Sequence, residues 1–171
     1  MHKLDILFIN PGNAKGIYQD LAKDYSAIEP PTWALLLAES VRNKGYKTAI
    51  FDINAERISN EESIERIKEY NPKLICFVVY GQNVNAGTVG MGGAVALSNL
   101  IKEKGINNPL SYIGSYIQAL PIKCLEDESS IDFGFTNEGL YSILNVLKEE
   151  NIDINNMDHI KGIVWRKDGI P

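Results

Sequence analysis

The stretch from Ala27 to Asp52 constrains the fold more than any other part of the chain, because it holds a complete loop, helix and strand. It follows an apolar strand, Leu4 to Ile9, that ends in a loop of Pro, Gly and Asn. Pro30 and Pro31 impose an extended entry and a first helical turn, since a proline lacks the N–H that this position leaves unpaired anyway. Gly45 is placed to stop the helix. Lys47 to Asp52 then reads as a strand whose acidic end falls where a parallel sheet presents its ligand-contacting loops.

The same alternation runs through the chain. Leu4–Ile9, Thr48–Phe51, Leu74–Val79, Leu110–Ile113 and Ile131–Phe135 are strand-length and mostly apolar on both faces, as parallel strands covered by helices on each side must be. Helical patterns fall between them over Thr32–Lys44, Glu61–Tyr70, Ala86–Lys104, Gln118–Glu126 and Leu140–Glu150. Ser59 with Glu62 three positions on forms a capping-box signature, and Asn71-Pro72 closes that helix. Repeats of this kind with right-handed crossovers predict an α/β fold: a doubly wound, Rossmann-like (flavodoxin-like) sheet of five parallel strands in the order 2-1-3-4-5. Ile160 to Arg166 reads as a further strand, and Lys167-Asp168-Gly169 as a hairpin turn. Residues 1–159 are therefore expected to form the domain, and 160–171 the start of a hairpin or linker leading onward, with the chain a fragment of something longer.

Composition removes several classes. A chain of 171 residues suggests one domain, burying roughly 70% of the surface its unfolded form exposes. A net charge of −5 argues against nucleic acid, whose binding rests on clustered Lys and Arg. No stretch approaches the ~20 apolar residues of a membrane span, and the N-terminus enters a strand without a signal-peptide core, so no membrane is expected and a cytoplasmic location is. Cys76 and Cys124 lack metal or disulfide spacing and read as buried, reduced thiols.

In a doubly wound sheet, ligands sit at the carboxyl ends of the strands. The first loop there runs from Asn10 through Asn13, Gly16, Ile17 and Tyr18 to Ala27, far beyond the ~2–6 residues usual for such connections. The third begins Tyr80, Gly81, Gln82, Asn83 and continues to Gly93. Its amides and glycines suit close backbone approach to a ligand and hydrogen bonding without net charge, or equally tight packing of the next helix. The fourth holds Gly114, Ser115 and Tyr116, and the fifth Thr136, Asn137, Glu138 and Gly139. Familiar sites are missing: the first loop lacks G-x-G-x-x-G spacing, although Asp52 stands where a ribose-binding acid would, and no Gly-Lys-Ser/Thr P-loop occurs. His2 and His159 stand alone near the termini and suit surface or capping roles. No nucleophile with its base can be assembled, so a carried cofactor would have to supply any chemistry.

The order Asn10-Pro-Gly, Pro30-Pro31 before a Leu-rich helix ending at Gly45, Asp52, Gly114 through Ala119-Leu120-Pro121, Asp132 through Asn137-Glu138-Gly139, and Gly162 through Gly169 resembles the N-terminal cobalamin-binding domain of cobalamin-dependent radical SAM enzymes. The resemblance implies a Rossmann-like domain holding a corrinoid methyl carrier at the carboxyl edge of its sheet. It also implies a C-terminal radical SAM domain in the same parent chain, with a 4Fe-4S cluster and S-adenosylmethionine, whose C-x-x-x-C-x-x-C motif this sequence does not contain. Cobalamin contacts are implied at Asn13, Gly16, Ile17, Tyr18, Tyr80, Gly81, Gln82, Asn83, Gly114, Ser115, Tyr116, Thr136, Asn137, Glu138 and Gly139. Methionine synthase and mutase relatives carry D-x-H-x-x-G in the first loop. Here Pro11 falls at the Asp and Asn13 at the lower-ligand His, which favours the radical SAM relatives, and no catalytic residue or strong metal ligand is expected in this chain. The residues also leave open a nucleotide- or flavin-binding regulatory module, supported by Asp52, and an interaction domain that has lost its ligand.

Overall fold

The computed structural model describes residues 2–12, 28–80 and 84–171. Strand β1 (Leu4–Asn10) leads to helix α1 (Thr32–Arg42), whose buried positions Ala34, Leu37, Ala38 and Val41 follow the helical repeat. The two prolines lie just before this helix rather than within it. Pro31 is the N-cap, and Thr32 N–H donates to the Pro30 carbonyl at 2.8 Å. Gly45, at φ +90°, ends the final turn as expected. Strand β2 (Thr48–Asp52) is followed by a one-turn helix α2 (Ile53–Glu56), which the apolar pattern is too short to signal.

Helix α3 (Asn60–Tyr70) opens with the expected capping box. Glu62 N–H donates to Ser59 Oγ, and Ser59 N–H donates to Glu62 Oε2 at 2.8 Å. These bonds hold the Glu62 carboxyl below its ordinary pKa, so their contribution is present at neutral pH and fades as pH falls through that lowered value. Ser59→Ala should cost about 1 kcal/mol of stability, read as a lower urea midpoint at unchanged m; an unchanged midpoint would show the cap to be dispensable.

Strand β3 (Pro72–Val79) and helix α4 (Val84–Glu103) come next, then β4 (Leu110–Gly114). The single helical segment expected before the fifth strand is two helices, α5 (Ser115–Ala119) and α6 (Pro121–Asp127). Pro121 disfavours helical geometry at Leu120, which sits at φ −137°, ψ 63°. Strand β5 (Phe133–Phe135), helix α7 (Leu140–Lys148) and strand β6 (Ile163–Trp165) complete the order.

The sheet runs β2-β1-β3-β4-β5-β6, with the first five strands parallel in the expected order. The difference from expectation is the sixth strand, which pairs antiparallel with β5, Ile163 opposite Phe135 and Trp165 opposite Phe133. Helix α7 runs away from the carboxyl edge, and residues 149–162 then climb back with Met157 and Ile160 buried, so β6 starts at that edge and descends. The hairpin turn forms as read: Asp168 and Gly169 take φ +52° and +81°, and Lys167 and Ile170 exchange backbone bonds of 2.8 and 3.0 Å.

Each face of the sheet carries its own apolar layer. Phe8, Val78, Ile113 and Phe135 point to α1 and α7. Ile9, Phe77, Val79 and Tyr112 point to α3, α4, α5 and α6. Within the second layer, Ser98 Oγ lies 2.7 Å from both Tyr112 OH and Ser130 Oγ, a buried chain of hydroxyls joining α4 to β4. Cys76 and Cys124 are buried and unpaired, and burial pushes both thiols up to about 12. Among the described residues no helix is long and apolar enough to cross a membrane.

Candidate functional site

The registers place the carboxyl ends of all five parallel strands on one edge: Asn10 beside Asp52, Val79 beside Gly114, and Ile113 beside Phe135. Because β1 connects outward to β2 and β3 outward to β4, the crossovers diverge between β1 and β3. The crevice at such a switch point is where open α/β sheets bind ligands.

Two rings occupy that point. Tyr80 follows the last residue of β3, and Trp33 lies in the first turn of α1; their ring centroids are 4.7 Å apart with planes at 29°. Tyr80 OH donates to the Asn137 carbonyl at 3.2 Å, so the phenol spans from β3 to the turn before α7. Burial raises the Tyr80 pKa, with the nearby Glu138 carboxylate adding to the shift, and the phenol stays neutral. Trp33 remains 40% exposed. Sequence reading missed it, although an aromatic residue two positions after a double proline at a strand-to-helix loop was the available signal.

The fifth turn is tightly built. Thr136 N–H donates to the Gly162 carbonyl at 3.0 Å, tying the turn to the start of β6. Asn137 and Glu138 are exposed, and Asn137 sits at φ +54°. Gly139, at φ +69°, caps α7; a Cβ there would strike Ile113 Cδ1. Gly114 is pressed against β3, where a Cβ would collide with the Val79 carbonyl. Both glycines are accounted for by the protein's own packing. Ser115 opens α5 beside Gly114.

Tyr116 is not brought to Tyr80, because the two rings pack against opposite faces of the sheet. Its OH donates to Asp127 Oδ2 at 2.7 Å, and that bond raises the phenol pKa to about 12. Asp52 is engaged as a cap: its Oδ1 accepts from Asn10 Nδ2 at 2.9 Å and from Ala55 N–H at 3.0 Å. Asn13, Gly16, Ile17, Tyr18, Gly81, Gln82 and Asn83 lie outside the described residues.

Among the described residues, no group of three His, Cys, Asp or Glu side chains is placed to hold a metal ion. His159 is a surface residue 3.1 Å from Glu149. A shallow depression of about 380 Å³ lies at the opposite, amino-terminal edge, where His2, Lys73, Asn108 and Glu150 are among its walls. Lys73 there donates to the carbonyls of Leu147 and Glu149, capping α7, and Asn108 donates to the Pro72 carbonyl. These bonds tie elements together and point away from the switch point.

The architecture thus defines a doubly wound α/β domain with an aromatic pair at its switch point. Solved structures of the radical S-adenosylmethionine methyltransferase TsrM from Kitasatospora setae are similar to this chain in fold. One, with cobalamin and a 4Fe-4S cluster bound, matches 96% of this chain at a TM-score of 0.69 and 16% identity. Another, with tryptophan substrate and the S-adenosylmethionine analogue aza-SAM bound, matches 94% at 0.66 and 17%. The chain spans 29% and 28% of those chains. No protein-family profile and no curated protein matches it significantly in sequence.

Proposed function

We propose that this chain is the cobalamin-binding domain of a cytoplasmic radical SAM methyltransferase, residues 1–159 forming its body and 160–171 first adding β6 to the sheet and then leading toward a radical SAM domain that holds the 4Fe-4S cluster and S-adenosylmethionine. One observation carries the reading: a doubly wound sheet similar in fold to part of a cobalamin-bound radical SAM methyltransferase, matched over 96% of the chain, presents an aromatic pair at its switch point. Aromatic rings at that crevice suit a corrinoid, whose tail carries a flat base. Tyr80, Trp33, Ser115, Asn137 and Glu138 would line the site; the contacts expected at Asn13, Gly16, Ile17, Tyr18, Gly81, Gln82 and Asn83 lie outside the described residues. Bound cobalamin would supply the methyl-carrying cobalt, and the protein would orient it and keep water from one face.

Hydroxocobalamin mixed with the purified chain at tens of micromolar should show a visible spectrum shifted from the free cofactor and coelute through gel filtration. A spectrum identical to free cofactor with no coelution would refute the reading. Thermal stabilisation by a dinucleotide or flavin, and not by cobalamin, would select the nucleotide-binding alternative. The capping bonds of Asp52 weaken that alternative, since one carboxylate oxygen a ribose would need is already doubly engaged.

A further inference from the structure

We propose that the start of β6 positions the fifth turn for the cofactor, with Gly162 as the positioning residue. The segment that leaves the domain then belongs to the candidate site and is more than a linker. The inference rests on the cobalamin reading and extends it to residues outside the expected contacts.

The β4–β5 register ends at Ile113 and Phe135. The next residue, Thr136, turns to the antiparallel neighbour instead. Its N–H donates to the Gly162 carbonyl at 3.0 Å, which carries the β5–β6 ladder one step beyond the pair of Phe135 and Ile163. Asn137 and Glu138 follow directly and are exposed. On its other side the turn is held by Tyr80, whose OH donates to the Asn137 carbonyl at 3.2 Å. The turn is thus clasped between Tyr80 and β6 by its backbone, while an amide and a carboxylate side chain face outward. A turn already fixed in this way spends little further conformational entropy on binding.

Gly162 has no room to move. Its φ of +79° is a backbone angle that residues other than glycine rarely adopt, and an added Cβ would collide with Ser142 Oγ. That hydroxyl cannot yield freely, because Ser142 is buried in α7 and donates to the Lys161 carbonyl at 2.8 Å. Two consecutive carbonyls, of Lys161 and Gly162, therefore fasten the start of β6 to α7 and to the turn. A shift of β6 moves Thr136, and with it the two polar side chains that follow.

Two measurements on the full chain test this: the NMR scalar coupling across the bond from the Thr136 N–H to the Gly162 carbonyl, and visible titration with hydroxocobalamin. Gly162→Ala should abolish that coupling and weaken hydroxocobalamin binding about ten-fold. The coupling across the bond from the Ile75 N–H to the Pro109 carbonyl, at the opposite edge, should persist and report an intact sheet. Ser142→Ala adds no bulk and removes only the bond to Lys161; it should diminish the Thr136 coupling and weaken binding about three-fold. Gly105→Ala, at another positive-φ glycine remote from the turn, should lose stability without changing either readout. If Gly162→Ala keeps the Thr136 coupling, or loses it and still binds hydroxocobalamin as the wild type does, the positioning role is refuted and the cobalamin reading stands. Should Gly162→Ala not fold, Ser142→Ala decides by the same two readouts. If the wild type binds no hydroxocobalamin, both fall.

Discussion

Replacing Gly114 by alanine is expected to destabilise the protein by about 3 kcal/mol, lowering the melting temperature by roughly 6–12 °C. Gly114 is the last residue of β4, paired with Val79 of β3 in the middle of the sheet. A Cβ added there would strike the Val79 carbonyl oxygen, and its distance to the carbonyl carbon would be 2.7 Å. Neither partner can retreat, because β3 is also paired with β1, and β4 with β5. The methyl group must push two central strands apart or break their last hydrogen bonds. Gly105→Ala is the control: φ is +70° there but nothing lies within 4 Å, so only the backbone preference is lost, about 1 kcal/mol. Equal losses at the two positions would show that close approach at Gly114 is unimportant.

Arg166→Met should cost a comparable amount, about 2–4 kcal/mol, through a different mechanism. The guanidinium follows β6 and donates to the carbonyls of Leu125 and Glu128 at the end of α6 and to that of Ile131 before β5. A helix leaves its last carbonyls without partners, and a cation there is favoured by the helix dipole as well as by hydrogen bonding. Methionine keeps much of the apolar stem and removes the cation from all three carbonyls, of which Glu128 retains only a long 3.4 Å bond from the Ile131 N–H. Lysine restores the charge but not the planar fork and should recover only part of the loss. Urea unfolding of the three proteins reads the order directly, wild type above Lys above Met; a Met variant as stable as the wild type would refute the role.

Much of this fold was legible because the physics behind it is local. The capping box at Ser59 and Glu62, the stop at Gly45 and the turn at Asp168-Gly169 each depend on a few neighbouring residues, and each forms as its residues require. Parallel order in the first five strands followed from apolar runs separated by helical periods. Pairing of β6 with β5 was not legible, because it depends on where residues 149–162 pack, with Met157 and Ile160 buried among residues distant in sequence. The same limit applies at the candidate site. Gly114 and Gly139 stand out in sequence, but only tertiary contacts reveal that they make room for Val79 and Ile113. Trp33 escaped notice because its partner Tyr80 is distant in the chain. Tyr116 looked equivalent to Tyr80, yet α5 turns it to the opposite face, where Asp127 accepts its hydrogen bond.

The antiparallel sixth strand has a bearing on solubility. Without it, β5 would offer a row of free amides and carbonyls on which another copy of the chain could build. With it, that border is three residues long and is followed by a tight reversal, leaving little template for templated growth of one molecule on the next. Disruption of β6 pairing should therefore show first as turbidity on concentration, before any loss of secondary structure.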